Sequence, residues 1–162
     1  MPPQIVRWGI LATGGICQAY VKDLLVDPKS RNVEDVQHVI TAVASSCSLE
    51  SAEKFVANHV ESRQGDHSCT AYGSYEDLVK DTKVDIVYVG TPHCHHYQNC
   101  RLALENNKAV VCEKPVTTNA KQAQILYDES AKRKLFFMEA TWTRFFPLSC
   151  DVHEMIKKRR DR

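Results

Sequence analysis

The chain has 162 residues, 43% hydrophobic and 25% charged, the make-up of one ordinary globular domain long enough to bury a core without staples. A net charge of +1 excludes the basic face that nucleic acid or an anionic membrane requires, and no apolar run approaches a membrane span. The start, Met1 to Trp8, is too short and mixed for a signal peptide, and seven cysteines without a Cys-x-x-Cys pair predict a reduced, cytoplasmic protein.

Ile5 to Leu11 reads as a buried first strand. The turn Ala12-Thr-Gly-Gly-Ile-Cys17 follows, then a helix with Ile16, Tyr20, Leu24 and Leu25 at helical spacing, closed by Asp27-Pro28. Val36 to Ser45 is a second strand, and Ser48 an N-cap for a helix through Asn58. A short strand at Cys69 to Tyr72 precedes Ser74-Tyr-Glu-Asp77, a capping-box-like start for the helix of Leu78 and Val79. Val84 to Gly90 is the next strand, and the following helix carries Cys100 and Leu102 to Leu104 and stops near Asn106-Asn107. A strand from Ala109, a helix from about Asn119 to Lys132 and a strand at Leu135 to Glu139 complete the alternation. Pro147 to Lys158 reads as a helix with Val152 and Ile156 on one face, and the basic run Lys157 to Arg162 as its exposed last turn. Helices between successive strands demand crossover connections, so the sequence predicts an α/β, doubly wound, mostly parallel sheet.

Five short motifs sit where such sheets bind ligands, at the carboxyl ends of strands. In the first turn the slots of a dinucleotide fingerprint, G-x-G-x-x-G/A, fall on Ala12, Gly14 and Cys17, and Gly14 is the one that lets backbone approach a pyrophosphate. The second strand ends in Ser45-Ser-Cys-Ser48, with no acid before Glu50. A carboxylate there would bind the ribose 2′-hydroxyl of NAD and repel a 2′-phosphate, so Ser45 and Ser46 favour NADP over NAD. Thr91-Pro-His-Cys-His-His96 invites a zinc reading, but neighbouring residues point in different directions and there is no second ligand cluster, so no metal is expected. His93 then lines a cofactor or substrate pocket and His96 orients or caps. Cys112-Glu-Lys-Pro115 ends the fifth strand with an acid and a base, and Pro115 sets the direction of Lys114. In Glu139-Ala-Thr-Trp-Thr-Arg-Phe-Phe-Pro147 the side chains of Trp142, Arg144 and Phe145 either line a substrate pocket or pack a second domain or subunit.

Together Trp8-Gly-Ile, Thr13-Gly-Gly-Ile16, Asp85 to His96, Val111 to Pro115 and Met138 to Pro147 resemble the glucose-fructose oxidoreductase/inositol dehydrogenase (Gfo/Idh/MocA) family. Within it the motifs are most similar to dimeric dihydrodiol dehydrogenases and fungal NADP-dependent D-xylose dehydrogenases. The resemblance implies a Rossmann-like NAD(P)-binding domain over residues 1–140. Residues 141–162 would begin a second, open-sheet α+β domain for substrate and dimerisation, truncated here. It implies Lys114 as a catalytic residue assisting proton transfer where hydride is lost, flanked by Glu113 and Pro115, with a Lys-Pro bond that is often cis in the family. Cofactor contacts would come from Ala12, Thr13, Gly14, Gly15, Ile16, Ser45, Ser46, Thr91, Pro92, His93, His96, Glu113 and Lys114. The implied activity is hydride transfer from a sugar (D-xylose to xylonolactone) or a cyclic trans-dihydrodiol to NADP, in a full-length homodimer, with this chain inactive by itself. The alternative is a nucleotide-binding module without turnover.

Overall fold

Twelve main elements alternate along the described residues, 2–160, of the computed structural model. In chain order they are β1 (Gln4–Leu11), α1 (Gly15–Leu24), β2 (Val36–Ala44), α2 (Leu49–His59), β3 (Thr70–Tyr72) and α3 (Tyr75–Lys80). Then come β4 (Ile86–Val89), α4 (His96–Glu105), β5 (Ala109–Cys112), α5 (Ala120–Arg133), β6 (Phe137–Glu139) and α6 (Pro147–Arg160). The last two residues of the basic run, Asp161 and Arg162, lie outside the described residues. The six strands form one sheet in the order β3-β2-β1-β4-β5-β6, and every pair is parallel. That is the order of a doubly wound dinucleotide-binding fold, and its winding reverses between β1 and β4.

The helix starts follow from local chemistry. Ser48 Oγ accepts from Ser51 N at 3.2 Å, Ser74 Oγ from Asp77 N at 3.1 Å, and Asn119 Oδ1 from Gln122 N at 3.0 Å. These side chains satisfy amides that a helix end leaves open, as the sequence predicts for Ser48 and Ser74. α1 and α4 differ: their N-cap residues, Gly14 and His95, supply no side-chain bond.

The strands carry apolar residues on both faces, so the sheet has two cores. Trp8, Ile10, Ile40 and Tyr88 pack with Val21 of α1 and Phe55 of α2 on one side. Leu11, Ala42, Val87 and Val110 pack with Leu78 of α3, Leu104 of α4 and Leu126 of α5 on the other. Two glycines are fixed by this packing. A Cβ on Gly9 would come within 2.7 Å of Leu78 Cδ2, and one on Gly90 would collide with Cys17 Sγ and lie 2.9 Å from Tyr88 Cε1. No described helix is long and apolar enough to cross a membrane, and the seven cysteines are free thiols.

Candidate cofactor site

A cleft of about 720 Å³ opens at the carboxyl ends of β1, β2 and β4, at the switch point of the sheet. The first turn lines one wall with Ala12, Thr13, Gly14 and Ile16. Ser45, Ser46 and Cys47 line the second, after β2. Gly90, Thr91 and Pro92 line the third, after β4, and Tyr75, His95 and Asn99 complete the rim.

The first wall suits an anion. α1 begins at Gly15 with no side chain on its first amides, and a Cβ built at Gly14 meets nothing within 4 Å, so the space in front of the helix is open. Exposed N–H groups and the positive end of the helix dipole make this a phosphate site. Ala12 takes the first fingerprint slot with φ 88, a left-handed conformation that glycine would adopt freely. Cys17 takes the third, where a small residue allows close helix–strand packing: its Sγ fills the notch over Gly90, 3.7 Å from the carbonyl oxygens of Leu11 and Gly90. Burial pushes the Cys17 thiol up to about 12, so it packs as a neutral group.

The second wall carries no carboxylate. Ser45 is buried and its Oγ accepts from Cys47 N at 3.2 Å, while Ser46 and Cys47 are exposed. In the third wall Thr91 is buried, and its Oγ1 accepts from Asn99 Nδ2 at 3.0 Å. His95 and Asn99 stand four residues apart at the start of α4, so they share one helix face.

Several expected contacts fall elsewhere. His93 is exposed and does not line the cleft, and Gly15, also absent from the lining, contributes only the amide that opens α1. His93 to His95 form a 3-10 turn, which puts His93 on the side of His96 (ring centroids 5.5 Å apart) and leaves His95 to face the cleft. His96 is fully buried with both ring nitrogens engaged, so it orients neighbouring turns and is not open to a direct cofactor contact. Glu113 is 8% exposed and belongs to the core: Tyr88 Oη donates to its Oε1 at 2.8 Å, and Lys114 N to its Oε2 at 3.3 Å. Tyr88 in turn stacks on Tyr20 at 3.7 Å with an interplanar angle of 7°.

Lys114 is exposed beyond the end of β5, and the Lys114–Pro115 peptide is cis. Cys112 pairs with Val89 in the β4–β5 register and Glu113 N donates to the Val89 carbonyl oxygen at 3.0 Å, so Lys114 follows the strand beside the one that ends in the third wall. Arg144 and Phe145 line a separate hollow with Ser149, Cys150 and His153, and Trp142 packs edge-on against Phe146. These three do not join the cleft, because β5 and β6 separate their turn from β4. Tyr75, Gly90, His95 and Asn99 were not expected. The available signal was Asn99, a polar residue beside Cys100 on a helix face that otherwise turns inward.

The sequence profile of the oxidoreductase family with an NAD-binding Rossmann fold (Gfo/Idh/MocA) matches residues 6–141. The chain belongs to this family. It is 51% identical over 154 residues to a D-xylose 1-dehydrogenase (NADP(+)) from Hypocrea jecorina, covering 95% of this chain and 38% of the relative. It is 37% identical to a trans-1,2-dihydrobenzene-1,2-diol dehydrogenase from Danio rerio, covering 94% of this chain and 42% of that one. Among solved structures, a 3-ketoreductase from Actinomadura kijaniata in complex with NADP superposes with a TM-score of 0.76 at 26% identity, over 96% of this chain and 44% of that one. An NAD-binding oxidoreductase from Klebsiella pneumoniae shares the fold with a TM-score of 0.81 at 23% identity, over 96% and 39%. The chain therefore spans about two fifths of the length of these relatives.

Proposed function

We propose that the chain binds NADP(H) and forms the cofactor-binding part of a dehydrogenase acting on a CH–OH group. The substrate class is a sugar, D-xylose to its lactone, or a cyclic trans-dihydrodiol. The observation that carries the cofactor choice is the second wall, where Ser45, Ser46 and Cys47 offer hydroxyl, thiol and backbone donors to a 2′-phosphate and no carboxylate repels it. The 51% identity to an NADP(+)-dependent D-xylose 1-dehydrogenase supports both the cofactor and the substrate class.

The residues present fit the group. The open amides at the start of α1 hold the pyrophosphate, and the half-exposed Ile16 gives an apolar surface beside it. Thr91 and Pro92 wall the side next to Lys114. The bound nicotinamide supplies the hydride acceptor. Lys114, on the turn after the strand beside the third wall, would assist proton transfer at the substrate carbon that loses hydride. Residues 1–140 are then the cofactor domain and 141–162 the start of the substrate-holding part. The exposure of Trp142 (58%) and Phe145 (70%) supports that division.

A second reading, a nucleotide-binding module without turnover, is favoured by the exposure of the Lys114 side chain, which lies outside the cleft. Both readings share the cofactor test, fluorescence titration of this chain with NADPH and NADH. We expect NADPH to bind at least about tenfold more tightly, and Ser46→Asp to weaken it by roughly 1–3 kcal/mol. Equal affinity for the two cofactors overturns the NADP reading; binding of neither overturns the cofactor reading.

A further inference from the structure

His96 opens α4 with its ring turned into the protein, 0% exposed. Its Nδ1 lies 2.8 Å from the carbonyl oxygen of Pro115, and its Nε2 lies 2.8 Å from the carbonyl oxygen of Thr91. A carbonyl oxygen only accepts, and a neutral imidazole has one N–H and one bare lone pair. In either neutral tautomer, one of these contacts would press a nitrogen lone pair against an oxygen lone pair at hydrogen-bond distance. Only a ring protonated at both nitrogens makes both contacts as hydrogen bonds, each of them charge-assisted.

We propose that His96 is a buried imidazolium that ties the Thr91 turn, a wall of the cofactor cleft, to the Lys114–Pro115 turn, and so acts as the positioning residue for both. What the two turns do rests on the function proposed above; the charged state of the ring does not. The two carbonyls belong to different strand ends, β4 and β5, so the ring clamps together segments that share no ladder bond beyond Glu113 N to Val89 O (3.0 Å). Each turn has its own second anchor. Asn99 Nδ2 holds Thr91 Oγ1 at 3.0 Å, and Glu139 Oε1 accepts from Val116 N at 2.9 Å.

The groups around the ring set the balance. Burial and the N-terminus of α4 oppose a cation there. Against burial, the Cys112 sulfur and the carbonyls of Pro115 and Thr91 favour the charged ring and raise its pKa above the ordinary imidazole value. Cys112 is itself pushed up by its hydrogen bond with Cys100 and by burial, so it is a neutral thiol at neutral pH, and the two carbonyls answer the ring's protons. His93 approaches edge-on from the turn before α4. The charged residues on the facing turns are Glu113 and Lys114 after β5 and Glu139 of β6. Glu113 is engaged by Tyr88, and Glu139 by Val116.

The test combines ¹⁵N spectra of the histidine rings with NADPH titration, both between pH 7 and 10, on the unaltered chain and on His96→Gln. At pH 7.5 both His96 ring nitrogens should carry protons, and one should be lost as the pH is raised above the ordinary imidazole range. NADPH affinity should fall several-fold over that same transition. His96→Gln, which keeps a donor but cannot protonate, should bind NADPH several-fold more weakly at pH 7.5 and show a flat pH profile there. If His96→Gln does not fold, the unaltered chain still decides: a neutral His96 ring at pH 7.5 overturns the proposal. A charged ring whose titration leaves NADPH affinity unchanged overturns the positioning role. Absence of NADPH binding at every pH refutes the function proposed above and with it the positioning role, while the spectra still decide the charged state.

Discussion

Tyr88→Phe isolates one interaction that links the sheet core to the turn bearing Lys114. Tyr88 is fully buried, its ring stacks on Tyr20, and its hydroxyl donates to the buried Glu113 carboxylate at 2.8 Å. Phenylalanine keeps the ring and the stack and deletes only the donor. Glu113 then keeps a single, longer bond, from Lys114 N at 3.3 Å. A hydrogen bond to a charged group contributes about 1.5–3 kcal/mol, and a buried carboxylate left short of donors sits toward the upper end. For a chain of this length that loss lowers Tm by roughly 4–9 °C. The measurement is thermal and urea unfolding of the two proteins side by side, with Glu113→Gln and the double mutant closing a cycle. The single changes should couple by about 1 kcal/mol or more, because each removes the same bond. A Tyr88→Phe protein within about 0.5 kcal/mol of the parent would refute the reasoning, since it would mean that water or another donor already serves the carboxylate.

In the whole protein, Lys114→Met should cut kcat by about a hundredfold or more with NADPH affinity little changed, because the side chain lies outside the cleft; near-normal turnover would show Lys114 to be structural. Gly90→Ala forces a Cβ onto Cys17 Sγ and Tyr88, both buried, and should cost about 1–3 kcal/mol in urea unfolding while weakening NADPH, since α1 must move off the sheet. A midpoint equal to the parent's would mean that α1 yields freely. Stability should also fall as the solution turns alkaline. The folded His96 ring is raised above its ordinary value, so its contribution is complete below the unfolded value of about 6.5 and is lost as pH rises through the folded one. Urea midpoints that are flat from pH 7 to 10 would contradict it.

The element order was legible because each strand is an apolar run and each long helix has a chemical start. Ser48 and Ser74 are caps named from the sequence, and both cap in the structure, as Asn119 also does at the start of α5. Strand ends were less legible. Val84 and Leu135 are as apolar as their neighbours, yet the ladders begin at Ile86 and Phe137, since pairing depends on the adjacent strand and not on hydropathy. In the site, the walls from Ala12 to Ile16 and from Ser45 to Cys47, and the pair Thr91-Pro92, were legible for a topological reason: each directly follows a strand, and strand carboxyl ends meet at the switch point. Tyr75, His95 and Asn99 reach the cleft through the rotation of a helix, which is decided by packing. Cys100, Ala103 and Leu104 turn one face of α4 to the sheet and thereby swing His95 and Asn99 to the rim. The 3-10 turn before α4 takes His93 away from the cleft. The Glu-Lys pair shows the limit most sharply: adjacent residues after a strand point to opposite sides, so one must enter the protein and the other leave it. Only the tertiary position of the Tyr88 hydroxyl decides that Glu113 is the one that enters, and so leaves Lys114 on the outside.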